Sequence, residues 1–478
     1  MTTARIAPTL PGSTVATADA EEHGPSGGSQ PVAIRRRLLF IAFDFPPLRT
    51  SAVYRLVGLT RFLWNFGYDV TVLSANPRPG DIQDPTLLGK LPARIRFERT
   101  NYWRLDAWEN MAGKASRSLT LSAAAPVDTG GSRPKPALTK LRQRVHSVLH
   151  WGAEWVRSFL YFPDFTAGWI PLGLARAIDL QLNRRFDVIY TSSPPKSAPV
   201  IGMMMKLLFG VPWVCEFRDP WYPPKRSIRR RMERWVQSRI VRHADRIVVI
   251  SKGNAEDLVQ KFRLPADKIV VVPNGYDEDD FSGLDKESRF FEPGYIHLSH
   301  FGTVYPNFAG EFYPAVCDLL RERPELRGRL RVNIVGFPDG QTEELAAGEL
   351  RDVLRLYPFI PHREALQAMM ESDCLLLFLS SADTSRLSGL GKIYWYLRVG
   401  RPVLAISPTG GAQELVDEAQ AGWVVNDRES ILRTLREVTL TPANGQPPAP
   451  RRPQFVEQFR YDRIAARLAV VLDEALRA

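Results

Sequence analysis

The chain has 478 residues, more than one hydrophobic core usually organises, so two domains are expected. Hydrophobic residues make up 44% of the chain and charged residues 24%, the proportions of a soluble globular protein, which argues against a fibrous or wholly disordered chain. The net charge of +11 indicates a polyanionic partner, such as nucleic acid, an anionic lipid leaflet or a phosphorylated substrate.

Cysteine usage and hydropathy exclude further classes of protein. Cys215, Cys317 and Cys374 lie in apolar surroundings without paired or CxxC spacing, so neither a disulfide framework nor a zinc site is expected. No apolar run approaches the roughly 18 to 20 residues of a membrane-spanning helix, and the N-terminus lacks the pattern of a signal peptide. A cytoplasmic protein is therefore expected.

The chain begins with a predicted disordered tail, because residues 1–33 are rich in Thr, Ser, Gly, Ala and Pro and show no periodicity. A continuous apolar run at 38–43 then predicts a buried strand, followed by a helix at 54–66 and a second strand at 68–74. This βαβ opening is typical of a doubly wound parallel sheet. Residues 112–139 lose the periodicity again and gain Gly, Ser and Pro, which predicts a flexible insertion.

Residues 225–242 predict a basic amphipathic helix, with eight Lys or Arg residues against the single Glu233. Two roles fit this pattern: an outer helix packed on its own sheet, or contact with an anionic membrane surface. The two roles are compatible if the helix is only half buried. The apolar residues that share one face at helical spacing are Ile228, Met232, Trp235, Val236 and Ile240.

Strands and helices alternate through the rest of the chain, which predicts an α/β protein with two Rossmann-like domains at 34–280 and 295–455 and a C-terminal helix at 456–478. In the first domain further strands are predicted at 188–190, 212–215, 246–251 and 268–273 and a helix at 172–184. In the second, strands from Tyr295 and at 330–335, 373–378, 402–406 and 422–425 alternate with helices at 309–323, 362–371, 391–399 and 411–419.

Polar side chains follow two of the predicted strands in the first domain. Ser192 and Ser193 come after the strand at 188–190, and Arg218 and Asp219 come after the strand at 212–215. Because the ends of parallel strands form a crevice at the carboxyl edge of the sheet, these residues are candidates for a functional site. An ion pair between Arg218 and Asp219 that merely closes a turn is the alternative.

Small residues at strand ends in the second domain indicate phosphate binding, because they let backbone N–H groups approach anionic oxygens. Neither GxGxxG nor GxxxxGK[ST] follows the first strand of either domain, which argues against a dinucleotide dehydrogenase and a P-loop NTPase. No nucleic-acid recognition motif is found, so nucleic acid is not an expected partner. The phosphate-type residues are Gly302, Thr303, Gly336, Lys392, Thr409, Gly410 and Gly411.

Taken together, several motifs resemble the retaining, nucleotide-sugar-dependent glycosyltransferases of the family-four type (glycosyl transferases group 1), which have the GT-B fold. The resemblance covers nearly all of 38–478. The motifs are FDFPP (43–47) with Arg55, Pro163-Asp164 with Trp169, FDVIYTSSPP (186–195), GVPWVCEFRDPW (210–221), VVPNGYD (271–277), FGTVY (301–305) and GKIYWYLRVGRPVLAISPTGG (391–411).

The resemblance implies two Rossmann-like domains facing a central cleft, with the C-terminal helix crossing back. It implies transfer of a sugar from a nucleotide diphosphate donor to a glycan or lipid-linked acceptor, with retention and with neither a metal nor another cofactor. A role in surface polysaccharide biosynthesis follows, with the protein at the inner face of the cell membrane.

Individual roles also follow from the resemblance. Lys392 is similar to the residue that faces the donor diphosphate, with Gly302, Thr303, Thr409, Gly410 and Gly411 as close backbone approaches, and Gly336 is a further donor-binding candidate. Arg218 and Asp219 fall where relatives place a polar residue near the reacting sugar, and they are the candidate catalytic residues. The expected acceptor-side residues are Pro47, Arg55, Ser192 and Ser193.

The sequence departs from the family pattern on the donor side. Leu387 and Trp395 stand where a pair of glutamates with seven residues between them is common, Val304–Phe308 lack the usual Arg and Lys, and 49–52 lack a glycine pair. Either other residues substitute, or donor binding has changed, or activity is lost. The alternative function is therefore a catalytically silent GT-B protein that acts as a binding or scaffold subunit of a polysaccharide assembly complex. The candidate substitutes are Asn307, Ser388, Tyr394 and Glu414.

Overall fold

The computed structural model describes residues 35–103, 161–221, 228–284, 289–379, 391–407, 410–440 and 452–478. The predicted tail at 1–33 and the predicted insertion at 112–139 lie outside the described residues. So do Ser388, Thr409 and positions 225–227 of the predicted basic helix.

The strands of the described residues form two sheets, and all strand pairings within these sheets are parallel. The predicted α/β class with two doubly wound sheets is confirmed. The first sheet has the order β3-β2-β1-β4-β5-β6-β7, with β1 (Arg36–Ala42), β2 (Tyr68–Ala75), β3 (Arg96–Thr100), β4 (Val188–Ser193), β5 (Trp213–Phe217), β6 (Arg246–Val249) and β7 (Ile269–Val271). The second has the order β10-β9-β8-β11-β12-β13, with β8 (Ile296–Thr303), β9 (Leu330–Phe337), β10 (Leu354–Tyr357), β11 (Cys374–Phe378), β12 (Val403–Ile406) and β13 (Gly422–Val425).

Helices connect these strands and cover both faces of each sheet. Those of the first unit are α1 (Ser51–Leu63), α2 (Thr86–Gly89), α3 (Ile170–Arg184), α4 (Ser197–Phe209), α5 (Ile228–His243) and α6 (Lys252–Phe262). Those that follow are α7 (Phe312–Glu322), α8 (Gly340–Ala347), α9 (His362–Glu371), α10 (Gly391–Val399), α11 (Gly411–Ala419), α12 (Arg428–Leu440), α13 (Pro453–Glu457) and α14 (Tyr461–Arg477). Short 3-10 helices lie at Trp64–Phe66, Ala167–Trp169, Ala266–Lys268, Glu278–Phe281 and Pro324–Gly328. None of the helices in the described ranges is long and apolar enough to cross a membrane.

The structure adds two strands that the sequence analysis missed, β3 and β10. Both lie at the edge of a sheet, where only one side of the strand is paired, and their residues are mostly half-buried or exposed. Three of the five residues of β3 are charged. A partly solvated edge strand needs no continuous apolar run, so the pattern that identified the central strands was absent.

The C-terminal helix α14 returns to the first sheet, as predicted. Ile464, Leu468 and Leu472 recur on one face of this helix and are fully buried with residues of α1 and the sheet. Tyr461, the first residue of α14, lies against Gly58 of α1. A Cβ atom at Gly58 would lie 2.3 Å from the ring of Tyr461, so this crossing requires a glycine. The opposite face of the sheet is covered by α3, α4, α5 and α6.

The carboxyl edges of the two sheets face each other across a cleft. Arg49, which follows β1, donates a hydrogen bond to the carbonyl of Ile360 at 2.9 Å, and Ile360 follows β10. Lys252 at the start of α6 lies 3.5 Å from Glu414 of α11 in an ion pair that joins the two units. The strand ends of both sheets therefore meet in one place, which is where a ligand of a doubly wound protein binds.

Candidate functional site

The donor side of the cleft is built on two glycines at the ends of neighbouring strands. Gly302 is the second-last residue of β8 and has a φ of +115°, and Gly336 lies beside it on β9 with a φ of +136°. A Cβ atom at Gly336 would lie 2.4 Å from the carbonyl oxygen of Gly302, and one at Gly302 would lie 3.0 Å from Nζ of Lys392. A side chain at Gly302 would fill the space in front of Lys392, and one at Gly336 would collide with the backbone of Gly302, so both positions require a glycine.

Lys392 lies in the first turn of α10 and points toward the end of β8. Its Nζ is 3.4 Å from Nε2 of His300, while Nδ1 of His300 is 3.1 Å from the carbonyl oxygen of Leu376. Since a carbonyl can only accept, Nδ1 carries the proton and Nε2 accepts from the lysine ammonium. The ring of His300 stacks on Phe378 with centroids 4.8 Å apart, which holds the imidazole in place.

Burial disfavours the charged form of both groups in this pair. Burial lowers the pKa of Lys392 to about 8, and no carboxylate of the described residues contributes to the shift. Burial, with the charge of Lys392, holds the pKa of His300 well below its ordinary value, so the imidazole is neutral. A half-buried cation without a carboxylate partner is stabilised by an anion that enters beside it. His300 was missed by the sequence analysis, because a histidine inside a buried strand carries no pattern of its own.

The other predicted donor-side residues have different positions. Thr303 ends β8 and is half-buried, and Asn307 is exposed with a φ of +66°. Gly410 precedes α11 and Gly411 opens it, so the helix N-terminus points toward this side of the cleft. Glu414, one turn further along, is the residue that pairs with Lys252 across the cleft.

Tyr394 corrects one prediction, because the structure does not bring it to the donor side. Its side chain is 3% exposed and packs in the core of the second unit, with its ring 4.9 Å from that of Phe459. Lys392 and Tyr394 are two residues apart on a helix, a spacing that places them on different faces. Trp395 lies at the junction of the two units, with ring centroids 4.7 Å from His362 and 5.4 Å from Tyr54.

The candidate catalytic residues lie at the end of β5. Arg218 is 7% exposed, and it donates to the carbonyl of Pro194 and, through its backbone N–H, to the carbonyl of Ser193 at 2.7 Å. Its Nε has no partner among the described residues. Asp219 is half-buried, and burial raises its pKa against the opposing charge of Arg218.

The structure brings a further carboxylate to this edge that sequence analysis did not include. Asp44 follows β1 and is half-buried. Burial raises the pKa of Asp44, while the charge of Arg218 acts in the opposite direction. Arg218 therefore lies in the field of three carboxylates, Glu216, Asp219 and Asp44, and within the described ranges it forms no ion pair within 4.0 Å with any of them. A polar residue directly after a strand was the available signal for Asp44, as it was for Asp219.

Arg55 corrects the acceptor-side prediction, because it is 2% exposed and all five of its N–H donors bind within the protein. Nε and one terminal nitrogen bind the Oε1 atom of Glu216 at 2.8 and 2.6 Å. The remaining donors bind the carbonyls of Val272 and Pro273 and the side chain of Asn274. The guanidinium thus ties α1 and β5 to the segment that leaves the first sheet, and it does not reach the cleft.

Ser192 and Ser193 are likewise engaged inside the first unit. Ser192 is 1% exposed and donates its hydroxyl proton to Glu216, and the buried hydroxyl of Ser193 accepts from Nε1 of Trp221 at 3.1 Å. These hydrogen bonds join the end of β4 to the end of β5 and to the residue Trp221 that follows it. Pro47 is half-buried at the edge of the sheet, so it is the one of the four predicted acceptor-side residues whose position leaves it partly accessible.

Residues 52–275 match the family model described as the glycosyl transferase 4-like domain. This segment is similar to glycosyl transferase 4-like domains. It contains most of the first sheet, including the strand end that carries Arg218 and Asp219. The predicted family-four type of glycosyltransferase is thereby supported, and the retaining mechanism remains a prediction.

Curated relatives of the chain carry the name D-inositol 3-phosphate glycosyltransferase. The protein of Streptomyces scabiei is 29% identical over 259 residues, which is 50% of this chain and 56% of the relative. That of Geodermatophilus obscurus is 29% identical over 206 residues, covering 40% and 44% of the two chains. The chain thus spans about half the length of the curated relatives it matches.

Solved structures resemble the fold of the chain beyond the segment that matches this family model. A glycosyltransferase from Rickettsia africae superposes with a TM-score of 0.60 at 14% identity, covering 93% of this chain and 99% of its own. The Anabaena protein HepE, solved in complex with UDP, has a TM-score of 0.57 at 15% identity, covering 91% and 99%. Together with the two facing sheets, these likenesses confirm the predicted GT-B fold.

Proposed function

We propose that the protein transfers a sugar from a nucleotide diphosphate donor to an acceptor bound in the cleft, with retention and without a metal or other cofactor. The observation that carries the proposal is Lys392, a cation held by His300 in front of two glycines at the donor-side strand ends. The similarity of 52–275 to glycosyl transferase 4-like domains supports the same reaction class.

The proposed chemistry depends on charge that develops as the anomeric bond breaks. The leaving diphosphate gains negative charge, so cations and N–H donors already aimed at it lower the barrier. Lys392 supplies the cation, and the backbone around Gly302 and the N-terminus of α11 at Gly411 supply dipoles of the right sign. On the opposite wall, Asp219 orients the acceptor hydroxyl or the sugar. The positive charge of Arg218 beside it favours the ionised form of Asp219.

The acceptor in this proposal is a glycan or a lipid-linked glycan, and the process is surface polysaccharide biosynthesis at the inner face of the cell membrane. The curated relatives are named for a phosphorylated polyol.

A catalytically silent scaffold is the second candidate, and specific contacts favour it. Trp395 stands at a position where the resemblance leads us to expect a carboxylate, and its ring packs on His362 and Tyr54. Glu414, a proposed substitute, is held by Lys252. A donor site with these two groups engaged elsewhere binds its nucleotide through fewer contacts.

A donor screen separates the two candidates. UDP-, GDP-, dTDP- and ADP-sugars are titrated while thermal unfolding and donor hydrolysis are followed. An active enzyme is expected to be stabilised by about 2.7 kcal/mol when one donor reaches 100 times its Kd, and to hydrolyse that donor slowly. Stabilisation without hydrolysis or transfer would favour the scaffold, and the absence of stabilisation by all four donors would contradict nucleotide-sugar binding.

Asp219→Asn is expected to lower turnover by about 100-fold, at the lower end of what a positioned acid or base contributes, with a smaller change in KM. Burial raises the pKa of Asp219, so an ionised Asp219 is lost as pH falls through that raised value. Wild-type turnover is therefore expected to fall on the acid side, and the Asn variant to lack this fall. Asp179→Asn, on the exposed surface of α3, is the control. Wild-type turnover in Asp219→Asn would show that Asp219 has a structural role only.

A further inference from the structure

The outer surface of α5 and the end of α6 enclose an open groove of about 650 Å³, which we call the basic groove. Of its eight lining residues, five are cations and none is a carboxylate. This groove opens on the helix layer of the first sheet. Because α5 and α6 run from the carboxyl edge of the sheet to its amino edge, Arg242 and Arg263 lie away from the cleft. The lining residues are Arg231, Arg234, Trp235, Ser238, Arg242, Lys261, Phe262 and Arg263.

The cations of the basic groove are not neutralised by the acid of their own helix. Glu233, the only acidic residue of α5, is 3% exposed and is bound on the inner side by Lys196 and Arg229, both at 2.9 Å. Burial lowers the pKa of Lys261, and the charges of Arg234 and Arg230 act in the same direction against Asp257. The groove therefore has a positive field that an external anion can neutralise.

Trp235 gives the basic groove an apolar component. The sequence placed this residue on the apolar stripe of the helix, but the structure shows Val236 and Ile240 buried and Trp235 60% exposed. Arg239 lies over its ring, 5.5 Å from the centroid. An exposed tryptophan among arginines is typical of surfaces that enter the headgroup region of a bilayer.

A second apolar group adjoins the groove at the end of α4. Leu207 and Leu208 are 60% and 59% exposed, and Phe209 is 36% exposed. The neighbouring Lys206 binds Asp245, just beyond α5, at 2.9 Å, which places the end of α4 next to the Arg242 end of the basic groove. Cations and exposed apolar side chains thus share one surface, contributed by α4, α5 and α6.

We propose that this surface docks the protein on an anionic lipid leaflet, with lipid phosphates in the basic groove and Leu207, Leu208 and Trp235 in the interface. Charge complementarity selects the partner, since lipid phosphates match the cations and the bilayer boundary accepts the apolar side chains. Nucleic acid would neutralise the cations but leave Leu207 and Leu208 in water. Docking here is independent of donor binding, and it leaves the cleft open.

Vesicle sedimentation of the full chain tests the proposal. Binding to phosphatidylcholine vesicles that contain phosphatidylglycerol is expected, with little binding to phosphatidylcholine alone and a marked loss at high salt. Arg234→Gln with Arg242→Gln is expected to weaken binding about 30-fold, the combined effect of two cations at a membrane surface. Leu207→Ser with Leu208→Ser is expected to weaken binding while the dependence on salt persists.

The control is Arg321→Gln with Arg351→Gln, two exposed arginines of the second unit, which lowers the net charge equally. This pair is expected to bind vesicles within about twofold of wild type, since long-range charge is screened. Equal losses in both pairs, salt-insensitive binding, or no binding would overturn the proposal. So would tight binding of a single-stranded oligonucleotide that is lost in Arg234→Gln with Arg242→Gln while vesicles stay unbound. All four substituted arginines are exposed, and an unchanged thermal midpoint verifies folding.

Discussion

Lys392→Ala is expected to weaken nucleotide-sugar binding by about 10- to 150-fold, the range of a hydrogen bond to a charged group. The lysine ammonium is a half-buried cation at the donor-side strand ends, and its neighbour His300 is neutral and cannot replace it. The measurement is a titration with the donor that the screen identifies. Turnover is expected to fall as well, because the diphosphate gains charge in the transition state.

The dependence of binding on pH gives an independent test of the same residue. Burial lowers the pKa of Lys392 to about 8 in the unliganded protein, and only the protonated form attracts a diphosphate. Donor affinity is therefore expected to be constant well below pH 8 and to fall as pH rises through that value. Lys392→Met should bind weakly with no such fall.

A matched control is Lys268→Ala, because Lys268 also has a pKa lowered by burial but lies on the amino side of the first sheet, where it binds the carbonyl of Arg242. The Lys268→Ala variant is expected to bind the donor with an affinity within about twofold of wild type. Wild-type affinity in Lys392→Ala would contradict the proposed donor site even if the protein transfers sugar.

Glu216→Ala is expected to reduce the free energy of unfolding by about 3–5 kcal/mol, because it leaves the charge of Arg55 buried without a partner. Arg55 is 2% and Glu216 0% exposed, so water cannot replace the lost carboxylate. Thermal unfolding should show a midpoint lower by roughly 6–20 °C for a domain of this size.

Acid should have a related effect on the wild-type protein. Burial opposes ionisation of Glu216, but Arg55 and Arg218 outweigh it, and the pKa of Glu216 lies below its ordinary value. The folded pKa is thus below the unfolded one. The stability that this group contributes is present above its unfolded pKa of about 4.3 and is lost as pH falls through the lower folded value.

Two variants identify the cause of the loss. Asp69→Asn breaks the partly exposed pair of Asp69 with Arg96, 2.7 Å apart, and should cost less than about 1 kcal/mol. Arg55→Met combined with Glu216→Leu removes both charges and should recover much of the stability lost in Glu216→Ala. A loss below about 1 kcal/mol in Glu216→Ala would show that the buried pair does not hold α1 to β5.

The sequence alone predicted where the central strands and most helices lie along the chain, because hydrophobic periodicity is a property of neighbouring residues. The helices at 362–371, 391–399 and 411–419 have the predicted bounds. The same local signal placed Asp219 and Gly302 at strand ends, since a polar residue or glycine directly after an apolar run indicates the carboxyl edge. Where the apolar run was missing, at β3 and β10, the prediction failed.

Only the tertiary structure decided which of the polar strand-end residues are free to act. Arg55 and Glu216 are 161 residues apart and satisfy each other, and Lys392 and His300 are 92 apart. A hydrogen-bonding group engaged by a distant partner looks the same in the sequence as one that faces a cleft, because the partner comes from another element. For the same reason Trp235, which the helical period assigned to the buried stripe, is exposed: its neighbours Val236 and Ile240 already fill the contact with the sheet.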